Sequence, residues 1–347
     1  MDNLNNKTSD KIISIVVPCY NSAAYMRRCI DSLLTGGKGV EILVVDDGSS
    51  DDTLKIAREY EKEHPDNVIA IHQENLGHGG AVMTGIKAAS APYFKVVDSD
   101  DWLDADAFKK VLRTLRKIID HHMNVDAVVC NFVMVNQITG KKKTHGFRPF
   151  LPEDCVLTWD DVHRLPFGRY IMMHALIYRV DLLRTCGMNM PNHTYYVDDI
   201  YVYVPMHSVK LLYYLNVNLY HYAVGRQDQS VQEDIMIQRL DQLMKVNLIM
   251  LDSVQLSEIT DKHQKQYLSN FFGIVTAITC SLLIKTGSEE NLKKKEHLWK
   301  LIHKKDPAAF RMLRHSMAGI LVNFPGGKAG RWFTIRIYNF SRKFFGY

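Results

Sequence analysis

The sequence predicts an α/β protein, a doubly wound, mostly parallel sheet with helices on both faces, followed by an α-helical C-terminal region. Three observations carry this. The N-terminal half alternates short β-branched runs with stretches of helical apolar spacing. Polar residues fall at successive strand exits, where open parallel sheets bind ligands. Beyond about residue 229 the periodicity turns helical and stays so.

Taken in order, residues 12–17 read as the first strand and 23–34 as a helix. Residues 41–45 form a second strand, and 52–63 a charged amphipathic helix with Ser49, Ser50 and Asp51 as candidate caps. A third strand spans 68–72, a helix 79–89, a fourth strand 93–97 and a helix 105–119. Residues 127–135 read as a strand, and 140–145, with Lys141, Lys142 and Lys143, as an exposed turn. Residues 171–179 and 211–220 are further strand candidates, and helices are expected over 235–251, 266–284 and 291–303. The implied division is a disordered N-terminus over 1–10, an α/β domain over 11–228, a helical region over 229–325 and a basic amphipathic tail over 326–347.

Composition excludes several classes. With 46% apolar and 23% charged residues in a chain of 347, disorder and collagen-like repetition are out. The six cysteines are scattered without a CxxC pair, so they read as reduced packing residues in a cytosolic setting. No signal peptide is expected, and the apolar run 271–284 is shorter than the roughly 20 residues a membrane span needs, so no span is predicted. A formal charge of +5 is mild for this length and gives no reason to expect nucleic acid.

The most informative feature is Asp98-Ser99-Asp100-Asp101 at the end of the fourth strand. Three carboxylates within four residues repel one another unless something positive sits among them. A divalent cation suits them, because Mg2+ and Mn2+ favour carboxylate oxygens and reach proteins through one or two carboxylates plus substrate phosphates. Alternation along an extended segment points Asp98 and Asp100 the same way, which makes Asp100 the expected direct ligand, with Asp98 on a ribose or assisting the metal. The plainer alternative is that Asp101 or Asp104 only caps the next helix. Asp46-Asp47-Gly48-Ser49 likewise reads as a turn plus cap when taken alone.

Four motifs occur in sequence: Val16-Val17-Pro18-Cys19-Tyr20-Asn21, then Val45-Asp46-Asp47-Gly48-Ser49-Ser50-Asp51-Asp52-Thr53, then Asn75-x-Gly77, then Asp98-Ser99-Asp100-Asp101-Trp102. In this order at strand ends they resemble the signature of family-2 glycosyltransferases, over about residues 11 to 230. The resemblance implies a GT-A type fold and an inverting, metal-dependent hexosyltransferase that uses a nucleotide-sugar, with Mn2+ or Mg2+ as cofactor. It implies donor contacts from Pro18, Tyr20, Asn21, Asp47, Asn75, Asp98 and Asp100, with the Tyr20 ring near the nucleobase. The Asp47 carboxylate accepts from the base's imide N–H, which predicts a UDP-sugar. Relatives often carry a basic residue followed by Asn after Asn75-x-Gly77, whereas this chain reads His78-Gly79-Gly80-Ala81. Lys95 matches no transferable role. Val197-Asp198-Asp199-Ile200 resembles the family's Glu-Asp pair, which makes Asp199 the expected base, although a helix cap is the other reading. Arg226, in Val224-Gly225-Arg226-Gln227, resembles a residue that pairs with phosphate, and His221 is kept out of the metal set.

The C-terminal tail has no acidic residue from Lys328 onward. At helical spacing Phe333, Ile337, Phe340 and Phe344 gather on one side, and Lys328, Arg331, Arg336, Arg342 and Lys343 on another. That pattern fits an interfacial membrane helix as well as one docked on the protein. The resulting expectation is a cytoplasmic enzyme held peripherally on the inner face of the cell membrane, acting on a glycan or lipid-linked acceptor of a surface polysaccharide or glycolipid. Three rivals are weighed against it. A receiver domain lacks its second acid one βα unit later, an oxidoreductase lacks a GxGxxG turn after the first strand, and a catalytically idle sugar-nucleotide-binding protein differs only by turnover.

Overall fold

The computed structural model describes residues 10–166, 168–225 and 232–345, with the backbone alone over 341–345. The chain begins with β1 (Ile13–Cys19), α1 (Met26–Leu34), β2 (Val40–Asp47), α2 (Thr53–Glu63), β3 (Val68–Gln73), α3 (Gly77–Ala88) and β4 (Tyr93–Val96). It continues through β5 (Trp102–Leu103), α4 (Ala105–Asp120), β6 (Ala127–Asn136), β7 (Lys142–His145), β8 (Val156–Leu157), β9 (Leu176–Arg179), α5 (Val180–Thr185), α6 (Asp198–Met206) and β10 (Leu212–Val224). Seven helices follow, α7 (Glu233–Gln238), α8 (Leu240–Ser253), α9 (Lys262–Thr286), α10 (Glu289–Lys305), α11 (Pro307–Arg314), α12 (Met317–Val322) and α13 (Gly327–Phe345).

The strands form one sheet in the order β3-β2-β1-β4-β9-β6-β10-β5, with β7 on β6 and β8 on β10. The block β3-β2-β1-β4 is parallel throughout, as the alternation of strands and helices requires. Every residue of β1 and β2 is buried, the mark of strands covered on both faces. Past β4 the sheet is mixed: β9 runs antiparallel between β4 and β6, while β10 pairs with β6 in parallel through two register shifts. Helices α1, α2 and α3 pack on the parallel block, and α4 on β10.

Several expectations need correction. The exposed turn over 140–145 contains a strand, because β9 covers β6 only as far as Val129 and leaves the edge from Phe132 to Val135 for β7. Its lysines are exposed, and the turn itself is made where the Asn136 Oδ1 accepts from the backbone N–H groups of Ile138 and Thr139. Over 171–179 only Leu176–Arg179 is strand, preceded by a 3-10 turn at Met173–Ala175. The helix expected over 235–251 is two helices that meet at Arg239. The helix containing the 271–284 run is 25 residues long, enough by length and composition to cross a membrane, yet 83% of its most apolar window is buried inside the fold. Residues 1–9 of the expected disordered N-terminus lie outside the described residues.

One buried cluster joins sheet and helices, running from Ile13 on β1 to Val322 on α12. Two close contacts hold the half that carries the strand exits. At Gly85 of α3 an added Cβ would sit 2.4 Å from Val16 Cγ2, so α3 lies against β1 at a distance that only glycine permits. Lys95 on β4 is completely buried, and its ammonium donates to the carbonyls of His174 (2.8 Å) and Leu176 (3.1 Å), tying β4 to the segment leading into β9.

Gly85→Ala is expected to destabilise the fold by about 1–3 kcal/mol through overpacking against Val16, read as a lowered urea midpoint. Lys95→Met should cost about 1–3 kcal/mol by leaving buried carbonyls unmatched. An unchanged midpoint in either variant contradicts the packing described.

Candidate active site

The exits of β1 and β2 are fastened to each other before they can face a ligand. Asn21 sits in the left-handed region (φ 50), which its short amide tolerates. Its Oδ1 accepts from Ser50 N (2.9 Å), and its own N–H donates to Ser49 Oγ (2.9 Å). Asp46 serves the turn: its Oδ1 accepts from Ser49 N, and its Oδ2 meets His72 Nδ1 at 2.6 Å. Asp47 faces the other way. Its Oδ1 accepts from Gln73 Nε2 (2.6 Å) and Leu76 N (2.8 Å), and its Oδ2 from Gly77 N (2.8 Å). Among the candidate caps it is Asp51 that serves α2, accepting from Thr53 N.

The acidic segment after β4 is locked by β10. Tyr220 donates to Asp101 Oδ2 (2.6 Å) and accepts from Asp98 N (3.1 Å), while Ala223 N donates to Asp101 Oδ1 (2.7 Å). Asp101 is therefore a buried anchor, and the cap of α4 is Asp104, which accepts from Ala107 N. Burial, then the charges of Asp100 and Asp98, push the Asp101 carboxyl well above its ordinary range. The Asp98 carboxylate accepts from His78 Nε2 at 2.9 Å. Burial acts to raise Asp98, but the His78 bond and charge, with His174 and Lys95, outweigh it and set it lower than usual. Reciprocally, burial acts to lower His78, and Asp98, Asp198 and Asp47 overcome that and raise it.

The third element is the start of α6, where Asp198 and Asp199 occupy the first turn, a favourable place for negative charge. The loop before it is pinned to the β3 exit by His193 N donating to Leu76 O (2.8 Å). Gly77 makes this approach possible: its φ is +79, and an added Cβ would lie 3.0 Å from His193 N. Burial first, then the Asp198 charge, raises Asp199 well above the ordinary carboxylate range. Burial also raises Asp198, against the pull of His78.

These elements surround one cavity of about 800 Å³. Of the residues singled out from sequence, Tyr20, Asp47, Asn75, Asp98 and Asp199 line it together. Pro18, buried within β1, and Asn21, committed to Ser50, do not, and Asp100 is also absent from its wall. Arg226 lies outside the described residues. Two residues at the site have no role assigned from the sequence: His78, which bonds Asp98, and His174, whose neighbours come from β6 and β10. His78 was visible as a break in the family pattern; His174 carried no signal.

Metal-donor atoms of Asp98, Asp101 and His174 lie within 4.8 Å of one another. Burial and nearby cationic groups depress His174 to about 4, so its ring is neutral, and its buried Nδ1 has no hydrogen-bond partner among the described residues. Crowded carboxylates beside a neutral imidazole with a buried Nδ1 that makes no hydrogen bond among the described residues fit a divalent cation. Asp101 already spends both oxygens on Tyr220 and Ala223, so it is the weakest donor of the group.

Residues 14–178 match the family model described as Glycosyl transferase family 2. EpsH of Bacillus subtilis (strain 168), which bears a glycosyltransferase name, is 29% identical over 224 residues, 61% of this chain and 60% of EpsH. The processive diacylglycerol beta-glycosyltransferase of Mycoplasma pneumoniae is 25% identical over 240 residues, 65% of this chain and 67% of that protein. The chain spans between 18% and 60% of the length of the first curated relatives it matches. Among solved structures, residues 1-349 of S. aureus TarS in complex with UDP-GlcNAc share the fold, with a TM-score of 0.68 at 20% identity over 95% of this chain and 91% of that one. The matched segment holds the exits of β1 to β4, whose acids face the cavity; over residues 14–178 the chain is similar to glycosyltransferase family 2, and its fold is of the GT-A type.

Proposed function

We propose that this chain moves a sugar from a UDP-sugar to a hydroxyl of a glycan or lipid-linked acceptor, with inversion at the anomeric carbon. One observation carries the reading: Asp47 and Asp98 from strand exits and Asp199 from the start of α6 line the same cavity. Binding groups and a base thus face a common space. TarS was solved with UDP-GlcNAc, and a nucleotide-sugar is the donor class we assign here.

Tyr20, 57% exposed at the cavity wall, offers a ring face to the nucleobase. A carboxylate takes about four hydrogen bonds. Asp47 receives three from Gln73, Leu76 and Gly77, which leaves one for an imide N–H such as that of uracil. Asp98, whose donor oxygen lies in one group with His174 and Asp101, and Asp100, the ligand expected from the sequence, would hold Mn2+ or Mg2+, which would neutralise charge on the diphosphate. Asp199 accepts the acceptor's hydroxyl proton as that oxygen bonds to the anomeric carbon and the bond to the diphosphate breaks. One displacement inverts the centre and releases the nucleoside diphosphate.

α13 supports attachment to an anionic membrane surface at the cytoplasmic face. It docks on α9 and α12, with Thr334 bonded to Leu321 O and Ile335 and Tyr338 packed on the core, and Ile337 lines the cavity rather than joining Phe333 and Phe340. Trp332, Phe333 and Phe340 stay exposed at 58%, 40% and 63%, beside Lys328 and Arg336. Each basic group near an anionic leaflet contributes about 1 kcal/mol. Arg342, Lys343 and Phe344 lie outside the described side chains.

In a UDP-sugar screen with Mn2+, Asp100→Asn is expected to abolish metal-dependent donor turnover. Asp199→Asn should keep donor binding and lower transfer by about 10²–10⁴-fold; retained transfer removes Asp199 from this role, and absence of UDP release from the unmodified chain favours an idle binding protein. A base works only when ionised and the Asp199 carboxyl is raised, so kcat/KM should climb with pH through a step above the ordinary carboxylate value of about 3.9. A profile flat across that range contradicts the assignment. The triple variant Trp332→Ser, Phe333→Ser, Phe340→Ser should lose at least about ten-fold in partitioning onto vesicles containing phosphatidylglycerol. Equal partitioning retires the membrane attachment.

A further inference from the structure

The cavity that holds Asp98 and Asp199 does not end at them. It continues past Met236 and Leu243 into the helical region, where α9 contributes Ile274 and Ile278, α12 Leu321, and α13 Ile337. No charged side chain from α8, α9, α12 or α13 lines this arm. Of its few polar groups, Thr334 is spent internally: its hydroxyl donates to Leu321 O (2.7 Å), so it contributes packing surface rather than a free donor. A sugar or nucleotide needs several convergent polar partners, and this arm supplies almost none. An aliphatic chain needs only apolar surface and gains by leaving water.

We propose that this arm seats the aliphatic chain of a lipid-linked acceptor, with the hydroxyl to be glycosylated placed at Asp199. The assignment rests on the glycosyltransferase reading above and names its acceptor class. Two features of the fold select this occupant. The arm is continuous with the space that Asp98 and Asp199 share, so one molecule spans both. Its outer wall is made by α12 and α13, which turn Leu321 and Ile337 inward, while Met317 and Ile320 of α12, Phe324 of the linker, and Trp332 and Phe340 of α13 are exposed. A chain leaving a bilayer at that surface therefore has a short apolar path to the lumen.

The test uses the full chain and hexyl, octyl and decyl β-glucosides below their micellar thresholds, followed by calorimetry. Each methylene is expected to tighten binding by about three- to four-fold. Ala277→Phe, which fills the α9 wall of the arm, should flatten the series while keeping the melting temperature. A flat series in the unmodified chain overturns the proposal, as does an equally steep series in a folded Ala277→Phe variant. Should that variant unfold, photolabelling of the unmodified chain by an octyl glucoside with a terminal diazirine decides: label on α9 and α12 supports the arm, and label confined to Trp332, Phe333 and Phe340 overturns it. UDP-sugar binding is measured separately. If no donor binds, the enzymatic reading fails by itself while the chain-length series still reports on the arm.

Discussion

The site depends on keeping five carboxylates close together in and beside a poorly solvated cavity. Asp98, Asp100, Asp101, Asp198 and Asp199 repel one another, and burial disfavours the charged form of Asp98, Asp101, Asp198 and Asp199. The fold meets this in a different way at each position. Tyr220 and the Ala223 amide make Asp101 an anchor. His78 holds Asp98 in its ionised form, helped at a distance by the buried Lys95 ammonium. Asp198 and Asp199 sit at a helix start, where the backbone offsets part of the charge. What remains uncompensated at Asp199, burial first and then the Asp198 charge, keeps its carboxyl raised.

That electrostatic arrangement sets demands on the backbone. β10 has to reach the acidic segment from the far side of the sheet, and it does so through two register shifts that bring Tyr220 and Ala223 opposite Asp101. The loop before α6 has to lie on the β3 exit, which is why residue 77 is a glycine with positive φ. α3 has to press on β1 closely enough for His78, in its first turn, to reach Asp98, and Gly85 permits the approach. Each special residue is thus a local cost accepted for one placement in the cavity.

The parallel block and its strand-exit acids were legible in the sequence because both depend on short-range pattern. Alternation of β-branched runs with amphipathic helices marks β1 to β4, and polar residues at strand ends need no packing explanation. Distant partners were not legible. That Asp101 anchors β10 while Asp104 caps α4 depends on Tyr220, about a hundred and twenty residues on, and no local pattern separates the two acids. His174 reads as an ordinary histidine until β6 and β10 close around it. β7 was hidden because its exposed lysines have the composition of a turn, and what makes it a strand is the open edge of β6. Periodicity found the long helices but not α11 and α12, which are too short to repeat an apolar face.

The helical region completes the site rather than standing beside it. α9 has the length and apolarity of a membrane span, yet most of its apolar surface is covered by protein. A helix so uniformly apolar needs neighbours on all sides, and α8, α10, α11, α12 and α13 supply them. Tight packing against α9 would leave no lumen, but Ala277, Ile278 and Ile274 line the same cavity as Asp98 and Asp199. Apolar lining gains when an aliphatic group removes it from water, so the arm suits an apolar occupant. The same argument accounts for α13, which spends its small and aliphatic residues on closing the arm and leaves Trp332, Phe333 and Phe340 outward. A tail that only covered the core would turn those rings inward, where burial rewards them most.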